Sequence, residues 1–313
     1  MSQIAQTVQH TELRAVSMSK FLRTLRDDLE YVLLMAPAVI LFIVFVAYPV
    51  VGGIYYSMTD WNGVQMNYKF IGLQNYQTFI HDFYVIVPLR NTFVFAVALT
   101  IAQNIASLAL AVALESKLRT KNALRVLIFI PVLLSPLIVG YVWNYLFSGP
   151  LRDFGLAMNI QTLAHNLLSN PRTALMSATF VGVWRMVGWT MVIYIAALQG
   201  IPKELYEAAG MDGAVGWNKF RHITFPLIAP AFTVNMVITM ERGFKEFDTM
   251  FALTKGGPAN ATEVISLTIY RESFEYFRAG YGSTMGVILF MIIIVITIIQ
   301  LYLLRRKEKD VVY

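Results

Sequence analysis

Along the chain, long apolar runs are separated by shorter polar segments. A helix needs about 20 apolar residues to cross the hydrocarbon core of a bilayer. Six runs reach or approach that length, at 31–58, 92–114, 126–147, 174–201, 226–251 and 285–304. The first is uncharged and the sixth is nearly all Ile, Leu and Val. Arg185 alone interrupts the fourth, whereas the second half of the fifth holds "MERGFKEFD". The pattern predicts an all-α membrane protein with six transmembrane helices.

The polar segments carry pattern too. In "MSKFLRTLRDDLEYVLL", Met18, Phe21, Leu22, Leu25 and Leu29 fall on one helical face and charges on the other. This predicts an interfacial helix lying on the membrane before the first span, after a loosely ordered stretch at 1–17. The first apolar run starts late, is too long and lacks a small-residue cleavage site, so it reads as a span rather than a removable leader. The expected division is an N-terminal tail at 1–30, a membrane domain at 31–304 with a polar loop at 202–226, and a C-terminal tail at 305–313.

That loop is the most patterned polar stretch. Pro202 suits a first helical position, and Gly213 suits the left-handed residue that ends a helix. "AVGWNKFRHI" can form a second short helix with Trp217 and Phe220 on one side, and Pro226 opens the fifth span. The expectation is a helix–turn–helix. The small Ala208 and Ala209 permit close approach of a partner, and Glu207 can accept its Arg or Lys. Taken alone, the same residues also suit a capped, solvated connector.

Lys and Arg orient the chain. With the N-terminus in the cytoplasm, fifteen of the 25 fall in inner segments: Arg14, Lys20, Arg23, Arg26, Lys117, Arg119, Lys121, Arg125, Lys203, Lys219, Arg221, Arg305, Arg306, Lys307 and Lys309. Seven fall outside and three (Arg185, Arg242, Lys245) inside spans. Both termini are expected in the cytoplasm, and this bias accounts for the net charge of +6. No aromatic-basic groove points to nucleic acid.

Composition agrees, with 57% hydrophobic and 14% charged residues against about a quarter charged in soluble domains. Without cysteine there is no disulfide framework or thiol chemistry. His10, His81, His165 and His222 lie far apart, without metal-ligand spacing. No phosphate-binding GxxxxGK[ST] or nucleophile GxSxG occurs, so the chain is expected to be no enzyme and to bind no metal. If ATP drives it, another chain binds the nucleotide.

Charges at membrane depth are costly, about 2.5 to 3.5 kcal/mol on insertion scales, and face a pathway or a partner. In the fifth run, Glu241 and Lys245 are four apart, as are Arg242 and Glu246, so two internal ion pairs are one reading. The other is a cavity binding solute hydroxyls. Arg185, Arg242 and Lys245 balance Glu241, Glu246 and Asp248, which suits a neutral, hydrogen-bond-rich solute. Tyr141, Trp143 and Tyr145 read as an interfacial belt. Trp189, in mid-span, reads as cavity-lining.

"EAAGMDGAVGWNKFRHITFP" resembles the EAA motif of permease subunits of ABC importers, namely EAA, three residues, Gly, nine residues, Ile-x-Leu-Pro. Glu207, Ala208, Ala209, Gly213, Ile223 and Pro226 fall in register, with Phe225 in place of the usual Leu. "YYSMTDWNG", "FIGLQNYQTFI" and "ALTKGGPANATEVISLTIYRESFEYFRAGYGS" resemble the carbohydrate-importer branch, of the maltose-type, binding-protein-dependent kind. Here the last span begins Gly280-Tyr281-Gly282-Ser283, where the family often has Gly-Tyr-Ala-Ala. The resemblance implies the type I importer permease fold. It makes 202–226 a cytoplasmic coupling helix for a partner ATPase, through Glu207, Ala208, Ala209, Asp212 and Gly213. It also implies a second homologous permease, two ATP-binding cassette subunits carrying ATP and Mg, and an extracytoplasmic solute-binding protein. The maltose-type sugar contacts fall on Gly182, Arg185, Met186, Trp189, Thr239, Gly243 and Glu246, with Arg242 beside them. A permease for a sugar phosphate or acidic oligosaccharide is the alternative, favoured by Arg185 and Arg242, and an ion-coupled secondary transporter is a further rival.

Overall fold

A computed structural model describes residues 31, 33–115 and 119–308. The predicted interfacial helix lies outside the described residues. The chain divides between Tyr55 and Tyr56 into two units. The first contains most of α1 (Leu33–Tyr56), an apolar helix long enough to cross a bilayer.

In the second unit the helices are α2 (Gln74–His81), α3 (Phe83–Glu115), α4 (Lys121–Leu133), α5 (Pro136–Ala157), α6 (Pro171–Gln199), α7 (Lys203–Met211), α8 (Gly216–Leu227), α9 (Ala229–Phe244), α10 (Asp248–Leu253), α11 (Ile265–Tyr270) and α12 (Ala279–Glu308). Among the described residues α1, α3, α6 and α12 can each cross alone. The pairs α4–α5 and α8–α9 qualify as bent crossings by length and composition, with breaks of 100° and 72°, giving six spans when each pair counts as one.

The bends follow from proline. Ser135 precedes Pro136 and is held extended at φ −57, ψ 133, because the ring crowds a helical conformation at the preceding residue. Ile228 leaves the helical region at φ −94, ψ 4, and Pro230 stands in the first turn of α9. The fifth apolar run is therefore not one helix to residue 251. It ends at Phe244, and α10 starts afresh at Asp248.

The helix α6 packs between its neighbours because glycines let backbones approach. A Cβ on Gly188 would lie 2.5 Å from the Ile128 carbonyl, and one on Gly182 2.9 Å from Leu99. Between α3 and α9, a Cβ on Gly243 would lie 2.6 Å from Ala96 Cα. Phe95, Leu99, Val139, Phe147, Val181, Met250 and Leu253 form one core cluster. Ala111, Leu114, Met191, Tyr194, Leu198 and Ile228 form another beside α7.

The start of α12 is seated on the 57–61 segment. Gly280 N donates to Trp61 O at 2.8 Å, and Thr284 Oγ1 to Ser57 O at 2.9 Å. A Cβ on Gly280 would lie 2.2 Å from Thr59 O. Gly282 packs on Ser273, whereas Gly286 has nothing within 4 Å among the described residues.

Candidate functional site

Beside its apolar clusters the interior of the bundle holds a set of buried polar side chains. On α3, Thr100, Gln103, Asn104 and Ser107 recur at helical spacing and are all buried. Gln103 Nε2 donates to Thr190 Oγ1 on α6 at 2.5 Å. Asn104 Nδ2 donates to Thr239 Oγ1 on α9 at 2.9 Å, and Tyr194 OH donates to Asn104 Oδ1 at 2.6 Å. Thr239 Oγ1 donates onward to Asn235 O at 2.6 Å, and Asn235 Nδ2 to Thr190 O at 3.3 Å. One connected set of hydrogen bonds thus stitches three spans, each bond contributing about 0.6 kcal/mol on average in a bilayer. Sequence reading passed over Gln103, Asn104 and Asn235, and it took Tyr194 as a flat face for a sugar, whereas its ring is fully buried and its hydroxyl is bonded to Asn104. Their signal was present, since four polar residues on one face of an apolar helix mark its inner side.

Above this network lies the charged group. Arg185 is 8% exposed, with Nη2 3.9 Å from Glu246 Oε2 and a buried Nε that has no hydrogen-bond partner among the described residues. Arg242 Nη2 donates to Met186 Sδ at 3.1 Å. Glu246 Oε1 also accepts from Thr249 N at 3.0 Å, at the start of α10. Of the two expected ion pairs four apart, Glu241–Lys245 forms. Arg242–Glu246 does not, because α9 ends between them and Glu246 turns to Arg185.

The structure thus brings Arg185, Met186, Arg242 and Glu246 together. Trp189 follows one turn along α6 and is 45% exposed. Thr239, Gly182 and Gly243 sit elsewhere. Thr239 is buried with its hydroxyl engaged, and the two glycines lie against α3. They hold the helices at the spacing that positions the charged group.

The helix–turn–helix forms as expected. Pro202 is the residue before the first helical one rather than within the helix. Gly213 has φ +76, and Ala214 N donates back to Ala209 O at 2.8 Å, closing the end of α7 in the manner of a left-handed C-terminal cap. Glu204, Glu207, Ala208, Met211 and Asp212 are exposed, and Ala209 is buried. Of the two alanines expected to face a partner, only Ala208 is exposed, because α7 turns Ala209 inward. Lys219 Nζ lies 5.1 Å from the Tyr206 ring centroid, tying α8 to α7. Trp217, Phe220, Phe225 and Phe232 form a chain of ring contacts, with successive centroids 5.2, 6.1 and 5.3 Å apart. This aromatic chain runs from the exposed knob into α9, the helix that carries Arg242.

At the end of the bundle opposite the knob, the "KGGPANATE" loop is anchored. Asn91 Nδ2 donates to Asn260 O and Glu263 O at 2.9 and 3.0 Å. Glu263 pairs with Arg271 at 2.8 Å, and Glu272 with Arg278 at 3.2 Å. Burial raises both carboxyls above their ordinary 4.5. Arg271 opposes the shift at Glu263. Arg278 opposes it at Glu272, and Asp82 adds to it. Among the described residues no cluster suited to a metal ion occurs.

Residues 103–309 match the family described as "Binding-protein-dependent transport system inner membrane component". The chain is 39% identical to the probable starch degradation products transport system permease protein AmyD of Thermoanaerobacterium thermosulfurigenes, across 94% of this chain and 100% of that one. It is 30% identical to the sn-glycerol-3-phosphate transport system permease protein UgpA of Agrobacterium fabrum, across 90% and 95%. Its fold matches a chain of a bacterial ABC transporter involved in import of the acidic polysaccharide alginate, with TM-score 0.76 at 23% identity, covering 90% of this chain and 96% of that one.

Proposed function

This chain belongs to the family of binding-protein-dependent transport system inner membrane components and is a multi-pass membrane permease; from that premise we propose that it is one of two membrane subunits of an ATP-driven carbohydrate importer. A second, homologous permease completes the pathway, and a solute-binding protein delivers sugar on the outer side. Two ATP-binding cassette subunits, holding ATP and Mg, grip the knob in the cytoplasm, where both termini also lie. The observation that carries this reading is the exposed helix α7 with its capped turn at Gly213, in a chain similar over nearly its whole length to a starch-product permease.

The chain's own residues supply transmission and binding. Glu207, Ala208, Asp212 and the neighbouring Met211 present the docking face. The chain of ring contacts from Trp217 to Phe232 passes a movement of the knob to α9, which shifts Arg242 against Arg185 and Glu246. Those groups, with the Nε of Arg185 that has no partner among the described residues, bind solute hydroxyls, and the exposed face of Trp189 stacks on the sugar ring.

Reconstituted with its partners in proteoliposomes, the Glu207→Ala and Gly213→Val variants are expected to lose sugar uptake at least about tenfold, the equivalent of one charge-assisted contact. Sugar affinity of the binding protein should be unchanged. Normal uptake by both variants would overturn the coupling role. A second reading, transport of an anionic sugar, is favoured by two neighbouring arginines facing one Glu246 and by the similarity to UgpA. Stimulation of ATPase activity by neutral against phosphorylated or acidic sugars separates the two.

A further inference from the structure

A cavity of about 550 Å³ lies between the knob and the adjoining ends of α3 and α6, away from the charged group within the bundle. Its apolar floor includes Val112, Leu198 and Phe220, and its charged lining is Glu115, Lys203 and Lys219. The acid is already matched, because Glu115 Oε2 pairs with Arg125 at 2.9 Å and accepts from Gln199 at 3.2 Å. Neither lysine has a carboxylate within ion-pair distance among the described residues. The hydroxyls of Tyr206 and Thr224, 3.3 Å apart, line the same space. The cavity therefore presents two ammonium groups without an acid partner among the described residues, that of Lys219 beside the Tyr206 ring, and a hydroxyl proton left free by the Tyr206–Thr224 pair, over an apolar floor.

We infer that this cavity binds a phosphate group, carried either by an anionic lipid headgroup or by a soluble phosphate ester. Point-charge ammonium groups bind phosphate without requiring a planar partner, and the apolar floor accommodates the rest of an amphiphile. The site is separate from the docking face. On α7, Tyr206 turns towards the cavity, while Glu204, Glu207, Ala208 and Met211 are exposed on the other side. A phosphate held by Lys203 on α7 and Lys219 on α8 clamps the two knob helices to the ends of α3 and α6. Occupancy thereby sets how stiffly the knob is joined to the bundle, independently of which solute is carried.

The test uses the purified importer assembly. In one arm it is placed in nanodiscs of phosphatidylcholine with or without phosphatidylglycerol, and retained lipid is read by native mass spectrometry. In the other, inorganic phosphate is titrated in detergent by calorimetry. Phosphatidylglycerol retention without phosphate binding assigns a lipid headgroup, and phosphate binding assigns a soluble ester. The double variant Lys203→Gln/Lys219→Gln should weaken whichever binds by roughly thirtyfold, from the ordinary attraction of a lysine for an anionic surface. The Lys203→Arg/Lys219→Arg variant should bind as the unmodified assembly does. In the unmodified assembly, phosphatidylglycerol or phosphate should also shield Lys203 and Lys219, but not Lys69, from amine acylation. Absence of both binding and shielding would overturn the proposal, as would unweakened binding by the glutamine variant.

Discussion

Two spans of similar length, α6 and α12, have opposite characters. In its most apolar window α6 is 61% buried, and α12 is 6% buried. The buried helix is the more polar one. It places Ser177, Thr179, Arg185 and Thr190 inside the bundle. The exposed helix shows Phe290, Met291, Val295, Ile298 and Ile299 to its surroundings. In water the opposite sorting would hold. In a bilayer apolar side chains lose nothing by facing outward, whereas a polar group without a partner is costly. Polarity therefore marks the inside, and small residues mark where helices touch.

The strongest test of this contrast exchanges a small residue on each helix. Gly188→Val forces side-chain atoms onto the Ile128 backbone and should lower stability by about 3 kcal/mol, read as a lower Tm of the solubilised subunit. Gly286→Val meets open space among the described residues and should leave that Tm unchanged. Equal losses would show that α12 packs as tightly within this chain as α6 does.

Polar groups give a smaller effect. Asn104→Leu removes the partner of both Tyr194 and Thr239 and should cost about 1–2 kcal/mol. Gln300, on α12, has a buried Oε1 without a hydrogen-bond partner among the described residues, so Gln300→Leu should be neutral or stabilising. Chemical denaturation of the two variants side by side decides between them.

The smallest effect concerns the rim that seats α12. Folded Glu263 and Glu272 titrate above their ordinary 4.5 because they are buried. A carboxyl whose folded value is raised contributes stability that is complete below the unfolded value and lost as pH rises through the folded one. Mild acidification from neutral pH should therefore raise Tm slightly, by under about 1 kcal/mol in stability. The Glu263→Gln/Glu272→Gln variant should flatten that response, and an unchanged slope would remove these carboxyls as its cause.

Much of the molecule was legible in its residues. The six apolar runs, the helix–turn–helix with its left-handed Gly213, and the Glu241–Lys245 pair all follow from local chemistry. Crossing a membrane, turning at a glycine and pairing across one helical turn depend on neighbours in the chain. The two bends were partly legible, since Pro136 and Pro230 were in plain view, yet their angles depend on what each half-helix packs against.

The partners of the charged group were not legible in the same way. Glu246 meets Arg185 across some sixty residues because α9 stops at Phe244, and Thr239 is enclosed because Asn104 reaches it from another helix. Ala209 turns inward while Ala208 stays free, although the two are chemically identical. A residue's type sets what it can bond with. Which face it shows, and to whom, is set by helix rotation and by where backbones can approach, and both depend on the whole packed bundle.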